Sequence, residues 1–204
     1  MALEAVKHER GNVGFVGTPC QVLALRKMQI SELNPEANKI KLIVGLFCTW
    51  ALQASAEKCI RDKVGEEKVL KLDVPPPPAN MLVIQTERRR LEVPLDELRR
   101  FIMPSCNVCF DMTNEFADIS VGTVEGEDDC NIIIARTSIG EKILQTAIAK
   151  GVLEAKTLRE DKLKHLYEAA LMRKRRVLMD MPPEKTAYLL LNDEYRSKIL
   201  MERA

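Results

Sequence analysis

Short hydrophobic runs separated by helical patterns open the chain. Residues Val13–Val16 form an apolar run of strand length, and the segment 21–29 that follows repeats its apolar side chains at the spacing of one helix face. A second run, Ile40–Phe47, is continuously apolar in its later half, which is typical of a parallel strand covered on both faces. The pattern then predicts a helix capped by Thr49 and ending near Gly65. The opening therefore predicts a strand–helix–strand–helix unit with a parallel sheet.

The rest of the chain alternates stiff, extended and helical segments. The prolines at 75–78 predict a rigid connector, because neither a helix nor a central strand tolerates them. The pattern beyond them predicts an antiparallel hairpin over 81–94, strands over 117–121 and 131–135, and helices over 94–100, 140–150 and from 160 onward. We therefore predict an α/β fold: a mostly parallel sheet with flanking helices, a small antiparallel hairpin insertion and a helical C-terminus. The predicted domains are an α/β domain over 1–150 and a helical extension over 151–204.

Composition and charge argue against several classes of partner. The 204 residues carry a formal net charge of +1, with 46% hydrophobic and 30% charged residues, so no strong attraction to nucleic acid or to anionic membranes is expected. The apolar runs are shorter than the roughly 20 residues of a membrane span. The first residues lack the apolar core of a signal peptide, so we expect a cytoplasmic protein. The basic run Arg173–Arg176 is predicted to be a solvated helix face.

Two cysteines lie where a predicted strand gives way to a helix. Cys20 follows the strand GFVG, and Cys48 follows the strand in LIVGLFC. Such junctions share one edge of a parallel sheet, where ligands usually bind. Each cysteine also lies near a predicted helix N-terminus, whose partial positive charge favours the thiolate that metals require. Two thiols that are distant in sequence are therefore expected to meet in space.

A CxxC pair supplies two further thiols, and together these make a set of four among the six cysteines. The candidate ligands are Cys20, Cys48, Cys106 and Cys109, whereas Cys59, inside a helical pattern, and Cys130, after an acidic loop, are left out. Four thiolates fit a 4Fe–4S cluster or a structural zinc. The residues alone leave cluster, zinc and unligated buried thiols open. A thioredoxin-like redox pair is disfavoured, because the CxxC follows a loop rather than a strand.

The segments around these cysteines resemble one family. FVGTPCQVLALRKMQ, IVGLFCTWAL, CNVCFDMTNEFADISVG and IIIARTSIGEKIL are similar, in the same order, to the beta subunit of coenzyme F420-reducing hydrogenase. The wider family includes the beta subunits of F420-dependent formate dehydrogenase. The resemblance implies an iron–sulfur flavoprotein, in which FAD exchanges a hydride with F420 and single electrons pass through a 4Fe–4S cluster to a partner subunit. The four candidate cysteines would then be the cluster ligands.

Six further residues are candidates for contacts with the flavin. The backbone amides around Gly17 and Thr18 lie beside a helix start, which suits a phosphate or a flavin edge. Asp118 offers an acceptor for ribose or flavin, Gly122 allows close backbone approach, and Arg136 with Thr137 offers a phosphate contact. Each has an ordinary alternative: a tight turn, an exposed strand acid, a strand end or a surface arginine.

The function expected from these observations is an electron-transfer oxidoreductase subunit. It would work with hydrogenase-type or formate dehydrogenase-type partner subunits, using a 4Fe–4S cluster, FAD and F420. The alternatives are a relay or assembly subunit that holds a cluster without flavin, and a zinc-stapled structural domain. The resemblance also implies a preceding glycine-rich region that helps complete the flavin and F420 pocket, and this chain starts close to the first family strand. Flavin and F420 chemistry depend on that region more than cluster ligation does.

Overall fold

The protein folds into two compact units. The computed structural model describes residues 2–31, 34–75, 79–124, 127–182 and 192–202. One unit comprises Met1–Cys48 with Val108–Ala204, and the other comprises Thr49–Asn107. The predicted domain boundary after residue 150 stays a prediction, and the compact units divide the chain at other positions.

Strands and helices alternate along the described chain. The strands are β1 (Val13–Gly17), β2 (Ile40–Leu46), β3 (Val69–Asp73), β4 (Met81–Thr86), β5 (Arg90–Pro94), β6 (Ile119–Val124) and β7 (Glu127–Ala135). The helices are α1 (Ala2–Lys7), α2 (Pro19–Ile30), α3 (Ser55–Val64), α4 (Asp96–Arg99), α5 (Ser138–Ala149), α6 (Glu160–Asp180) and α7 (Asp193–Met201). Two short 3-10 helices cover Pro35–Lys39 and Pro104–Asn107.

A four-stranded sheet in the order β1–β2–β6–β7 forms the centre of the first unit. The pairs β1–β2 and β2–β6 are parallel, whereas β7 runs antiparallel to β6. Helix α2 connects β1 to β2, which is the crossover that parallel neighbours require. The predicted strand–helix–strand unit and the predicted mostly parallel sheet with flanking helices are confirmed.

Helix α2 packs against this sheet through its apolar side chains. Val22 is fully buried and shares a cluster with Ile43 of β2, and burial of such a side chain stabilises the fold by roughly 1.5–3 kcal/mol. Strand side chains alternate between the two faces of a sheet. Val16 and Leu46 are 61% and 42% exposed. Leu42 and Val44 of β2 are half-buried and only its last residue is an exposed apolar side chain, so the predicted cover over both faces of β2 is incomplete in the described chain.

The C-terminal helices build a second cluster in the same unit. Leu171 and Leu178 of α6 pack with Ile199 of α7 and with Phe110, which is 1% exposed. The predicted helical C-terminus is confirmed for α6 and α7, while residues 187–191 of the predicted last helix lie outside the described residues. None of the helices in the described ranges is long and apolar enough to cross a membrane.

The second unit packs α3 against an antiparallel sheet in the order β3–β4–β5. Strand β4 pairs with β5 from Met81 opposite Pro94 to Gln85 opposite Arg90, which confirms the predicted hairpin. Sequence analysis missed β3, although Leu70 and Leu72 alternate with charged residues at the period of a strand; both leucines are exposed. Of the proline connector, residues 76–78 lie outside the described residues.

Two local predictions in this unit are wrong. Helix α3 begins at Ser55 and not directly after Thr49, because Trp50 and Leu52 pack into the core and Leu52 pairs with Ile102 in a β-bridge. Its predicted end is confirmed, since Gly65 follows with a left-handed φ of 63°. The predicted short helix begins only at Asp96, because the preceding proline belongs to β5.

Candidate functional site

The first two candidate cysteines lie where the parallel strands β1 and β2 end. Strand β1 ends at Gly17 and α2 begins at Pro19, so Cys20 lies in the first turn of α2 and is exposed. Cys48 lies just beyond β2, and its backbone N donates to Met112 O at 2.9 Å. This is the edge at which open α/β sheets bind ligands. The structure places both cysteines at strand ends as expected, while their role as metal ligands stays a prediction.

Asn114 joins the ends of both strands to the loop that follows Cys109. Its Nδ2 donates to Gly17 O at 2.9 Å and to Leu46 O at 3.2 Å. Ser120 Oγ donates to the Asn114 carbonyl at 2.9 Å. The side chain is fully buried, and the backbone adopts a left-handed φ of 61°. One amide therefore holds the three segments that carry Cys20, Cys48 and Cys109.

The surroundings of Asn114 leave no room for another arrangement. A Cβ added at Gly45 of β2 would lie 2.2 Å from Asn114 Cγ, so only glycine fits opposite this side chain. Asn114 Oδ1 is buried and has no hydrogen-bond partner among the described residues. Sequence analysis missed Asn114. Asparagine tolerates a left-handed backbone better than most residues, but no local pattern reveals bonds to two distant strand ends.

Cys109 is half-buried and begins a largely buried loop that contains several ionisable side chains. Burial raises the pKa of the Cys109 thiol, and the nearby Cys20 thiol adds to the rise, whereas Arg173 opposes it. The Cys109 thiol donates to Asp111 O at 3.5 Å. Burial, and then the Glu115 carboxylate, raises the pKa of Asp111 to about 6. The effect on the pKa of Cys109 therefore links two of the four candidate thiols, which come from separate segments.

Cys106 belongs to the other compact unit. It lies in the 3-10 helix Pro104–Asn107, where Ala51 N donates to its sulfur at 3.3 Å. The boundary between the units falls after Asn107 and so divides the CxxC pair.

None of the six cysteines forms a disulfide. Within the ranges that the structure describes, no group of three or more His, Cys, Asp or Glu side chains is arranged to hold a metal ion. The four-cysteine ligand set therefore stays a prediction.

Asp118 is a buried connection point rather than the exposed strand acid that was the ordinary alternative. Its Oδ2 accepts from Ile43 N at 2.8 Å. Its Oδ1 accepts from Arg26 Nη2 at 3.1 Å and from Thr137 Oγ1 at 2.9 Å. The carboxylate thus ties β2, α2 and the start of α5 together, and Asp118 is 4% exposed. The contact of Asp118 with ribose or flavin stays a prediction. The carboxylate already accepts hydrogen bonds from three donors inside the chain.

Arg136 and Thr137 also bond within the chain. Arg136 Nε donates to Ser120 Oγ at 3.1 Å, and its Nη2 donates to Thr113 Oγ1 at 2.9 Å. Thr137 caps helix α5, where its Oγ1 accepts from Gly140 N at 3.3 Å. Both side chains are partly buried. The alternative of a free surface arginine is wrong, and the predicted phosphate contact of this pair stays a prediction.

The turn at Gly17 and Thr18 is closed by its own side chains. Thr18 N donates to Gln21 Oε1 at 2.9 Å in the first turn of α2. This bond uses the amide that the sequence offers to a phosphate. Gly17 is buried, and an added Cβ would lie 2.4 Å from a ring carbon of Phe15. The flavin contact predicted here stays a prediction, and the alternative of a tight turn accounts for both residues.

The backbone at Gly122 is approached closely, as its position in the sequence indicates. The group that approaches it is the ring of Phe47. Gly122 lies in β6 opposite Ile132 of β7. A Cβ added at Gly122 would lie 2.0 Å from Cδ2 of the Phe47 ring. The ring therefore occupies the space beside this strand. A flavin contact at Gly122 stays a prediction.

The basic run Arg173–Arg176 was predicted to be a solvated face, and this holds for Arg176, which is exposed, but is wrong for Arg173 and Lys174. Arg173 and Lys174 are each 6% exposed. Arg173 Nε donates to Cys109 O at 2.8 Å, and Lys174 Nζ pairs with Glu115 Oε2 at 2.6 Å. Arginine and lysine are rarely this buried unless they are paired. The prediction fails because both partners lie about sixty residues away in sequence.

Comparison with known proteins gives a consistent result. The family model for the C-terminal part of the coenzyme F420 hydrogenase/dehydrogenase beta subunit matches residues 11–161. The coenzyme F420 hydrogenase subunit beta of Methanosarcina barkeri is 32% identical over 158 residues, covering 74% of this chain and 53% of that protein. The coenzyme F420-dependent sulfite reductase of Methanocaldococcus jannaschii is 34% identical over 170 residues, covering 74% of this chain and 27% of that protein.

A solved structure resembles the fold over most of the chain. The F420-reducing NiFe hydrogenase complex from Methanosarcina barkeri contains a chain that superimposes with a TM-score of 0.71 at 26% sequence identity. The match covers 87% of this chain and 62% of that one. The chain spans about half the length of the F420 hydrogenase beta subunits that it matches, 53% of the one from Methanosarcina barkeri.

Proposed function

The chain belongs to the coenzyme F420 hydrogenase/dehydrogenase beta-subunit family, and we propose that it is an electron-transfer subunit of an F420-linked oxidoreductase. The observation that carries the proposal is the family match over residues 11–161, which contains all four candidate cysteines. When bound, FAD and a 4Fe–4S cluster would supply the step between hydride exchange with F420 and single-electron transfer to a hydrogenase-type or formate dehydrogenase-type partner subunit.

The proposed cluster ligands are Cys20, Cys48, Cys106 and Cys109. Thiolates are the ligands that iron–sulfur clusters require. The proposal is supported by the positions of Cys20 and Cys48 just beyond the ends of the paired parallel strands β1 and β2. Asn114 holds together the three segments of the first unit that carry these cysteines.

A second candidate is a cluster-bearing relay subunit without flavin. This candidate is favoured because several residues predicted to contact the flavin already form hydrogen bonds within the chain. The Asp118 carboxylate, the Arg136 guanidinium and the Thr137 hydroxyl already have partners inside the chain. Each of these groups would have to share or exchange its partner to bind a flavin.

Anaerobic purification and analysis of bound iron, sulfide, zinc and flavin test both candidates. We expect about four iron atoms per chain, with flavin released on denaturation. Cys20→Ala and Cys106→Ala should lose most of the iron, whereas the matched control Cys59→Ala, in helix α3, should keep it. Iron without flavin would support the relay. Zinc in place of iron would contradict the iron–sulfur cluster and support a zinc-stapled domain. Equal iron in all three variants would contradict the ligand set.

F420 chemistry needs a separate measurement. Reduced F420 should lose its hydride to the flavin-loaded protein, and the oxidation is followed by the return of F420 absorbance and fluorescence. A flavin-loaded protein that does not oxidise reduced F420, alone or with its co-purified partner subunits, would contradict the F420 part of the proposal.

A further inference from the structure

Two adjacent cations of α6 hold both ends of the segment that carries Cys109. Arg173 Nε donates to Cys109 O at 2.8 Å. Lys174 Nζ donates to Glu115 Oε2 at 2.6 Å. The intervening loop is therefore fixed at its first and its last residue by neighbouring positions of one helix.

The environment of Lys174 shows that this attachment is built into the core. Its Nζ lies 5.0 Å from the centroid of the Phe110 ring and 5.6 Å from that of Tyr195, and 3.2 Å from the Tyr195 hydroxyl. Phe110 itself is 1% exposed and packs with apolar residues of α6. Cation–π contacts of this kind are stronger in a desolvated site than at an exposed one.

Stability alone does not explain the choice of charged residues here. Burying an ion costs several kcal/mol, and well-packed hydrophobic residues at such positions are often as stabilising as the ion pair or more so. The two cations are nevertheless placed against the loop of a candidate metal ligand. The pair also lies beyond residues 11–161, the part of the chain that the family model matches.

We propose that Arg173 and Lys174 are positioning residues for the cluster predicted at Cys109. Together they fix the segment from Cys109 to Glu115, and Arg173 places a positive charge beside the cluster. This inference rests on the proposed function. A cluster gains one negative charge when it accepts one electron from a reduced flavin or from a partner subunit's redox centre, so a nearby cation stabilises the reduced form.

Redox titration of the cluster-loaded protein tests the effect of the charge. Arg173→Gln should shift the midpoint potential to more negative values, so that the ratio of reduced to oxidised cluster at a fixed ambient potential falls severalfold. Arg173→Lys keeps the charge and should stay near the wild-type potential. The matched control is Lys164→Gln, on the same helix but with a side chain that is 75% exposed, and it should leave the potential unchanged. An unchanged potential in Arg173→Gln overturns the electrostatic role.

Amide hydrogen exchange of the cluster-free protein tests the attachment without any cofactor. Peptides covering residues 108–116 should exchange severalfold faster in Arg173→Gln and in Lys174→Met than in the wild type or in Lys164→Gln. Unchanged exchange in both variants overturns the positioning role. A wild-type protein that takes up no iron would refute the proposed function instead, and the exchange experiment would still decide whether α6 holds the loop.

Discussion

Removal of the Asn114 amide tests whether one buried side chain holds the candidate site together. Asn114→Ala deletes the donor to the carbonyls of Gly17 and Leu46 and leaves one acceptor in a buried and the other in a partly buried position. It also places alanine at a left-handed φ of 61°. Asn114→Gly deletes the same two bonds but suits that backbone conformation. The two variants therefore separate the hydrogen bonds from the backbone cost.

The expected magnitude follows from three contributions. Two lost bonds, one to a buried acceptor and one to a partly buried acceptor, cost about 3 kcal/mol together. A left-handed backbone at alanine adds about 1 kcal/mol. Removal of Oδ1, which is buried without a partner among the described residues, returns about 1 kcal/mol. The free energy of unfolding should therefore fall by about 3 kcal/mol in Asn114→Ala and by about 2 kcal/mol in Asn114→Gly.

Urea unfolding of the cluster-free protein, followed by circular dichroism, measures these changes. Hydrogen exchange in β1 and β2 locates the loss at the two strand ends. The control is Asn80→Ala, because Asn80 is exposed, has a left-handed φ of 43° and loses with its side chain one solvent-exposed bond, from Arg99. This control should lose only about 1 kcal/mol. The reasoning is refuted if Asn114→Ala costs no more than Asn80→Ala.

Three further substitutions test other contacts. Asp118→Asn should lower the free energy of unfolding by about 2–3 kcal/mol, because it removes a buried carboxylate with three donors; unchanged stability with lost flavin would identify a flavin ligand instead. Gly122→Ala should lower the free energy of unfolding by about 1–3 kcal/mol, because the new Cβ would meet the Phe47 ring. The control is Gly11→Ala, whose Cβ would have nothing within 4 Å. Equal thermal midpoints in the two variants would contradict this prediction. The hydrogen bond from Thr86 lowers the pKa of Glu67, so the stability it contributes is present above the ordinary glutamate pKa and is lost as pH falls through the lowered value. Glu67→Gln should flatten the acid side of the curve of urea midpoint against pH, and parallel curves would show that Glu67 has no such role.

Local patterns of the sequence determined most of the elements and their order, with β3 as an exception. The apolar runs of β1 and β2 with the helical spacing of α2 between them predict the parallel strand–helix–strand unit, because strand and helix periods are set within a few residues. The same patterns place Cys20 and Cys48 at strand ends, since both follow an apolar run that stops. The hairpin of β4 and β5 follows from two apolar segments separated by a short polar turn.

Only the tertiary structure decided which polar groups become structural. Asp118, Asn114 and Lys174 are polar side chains in polar-looking segments, yet each is buried because its partner comes from another element. A charged or amide group enters a core when distant donors or acceptors replace its water, and no local period encodes a partner many residues away. The sequence by itself therefore determined where the strands end and which thiols follow them, and the packing of α6 and the Asn114 bonds decided how those ends are held.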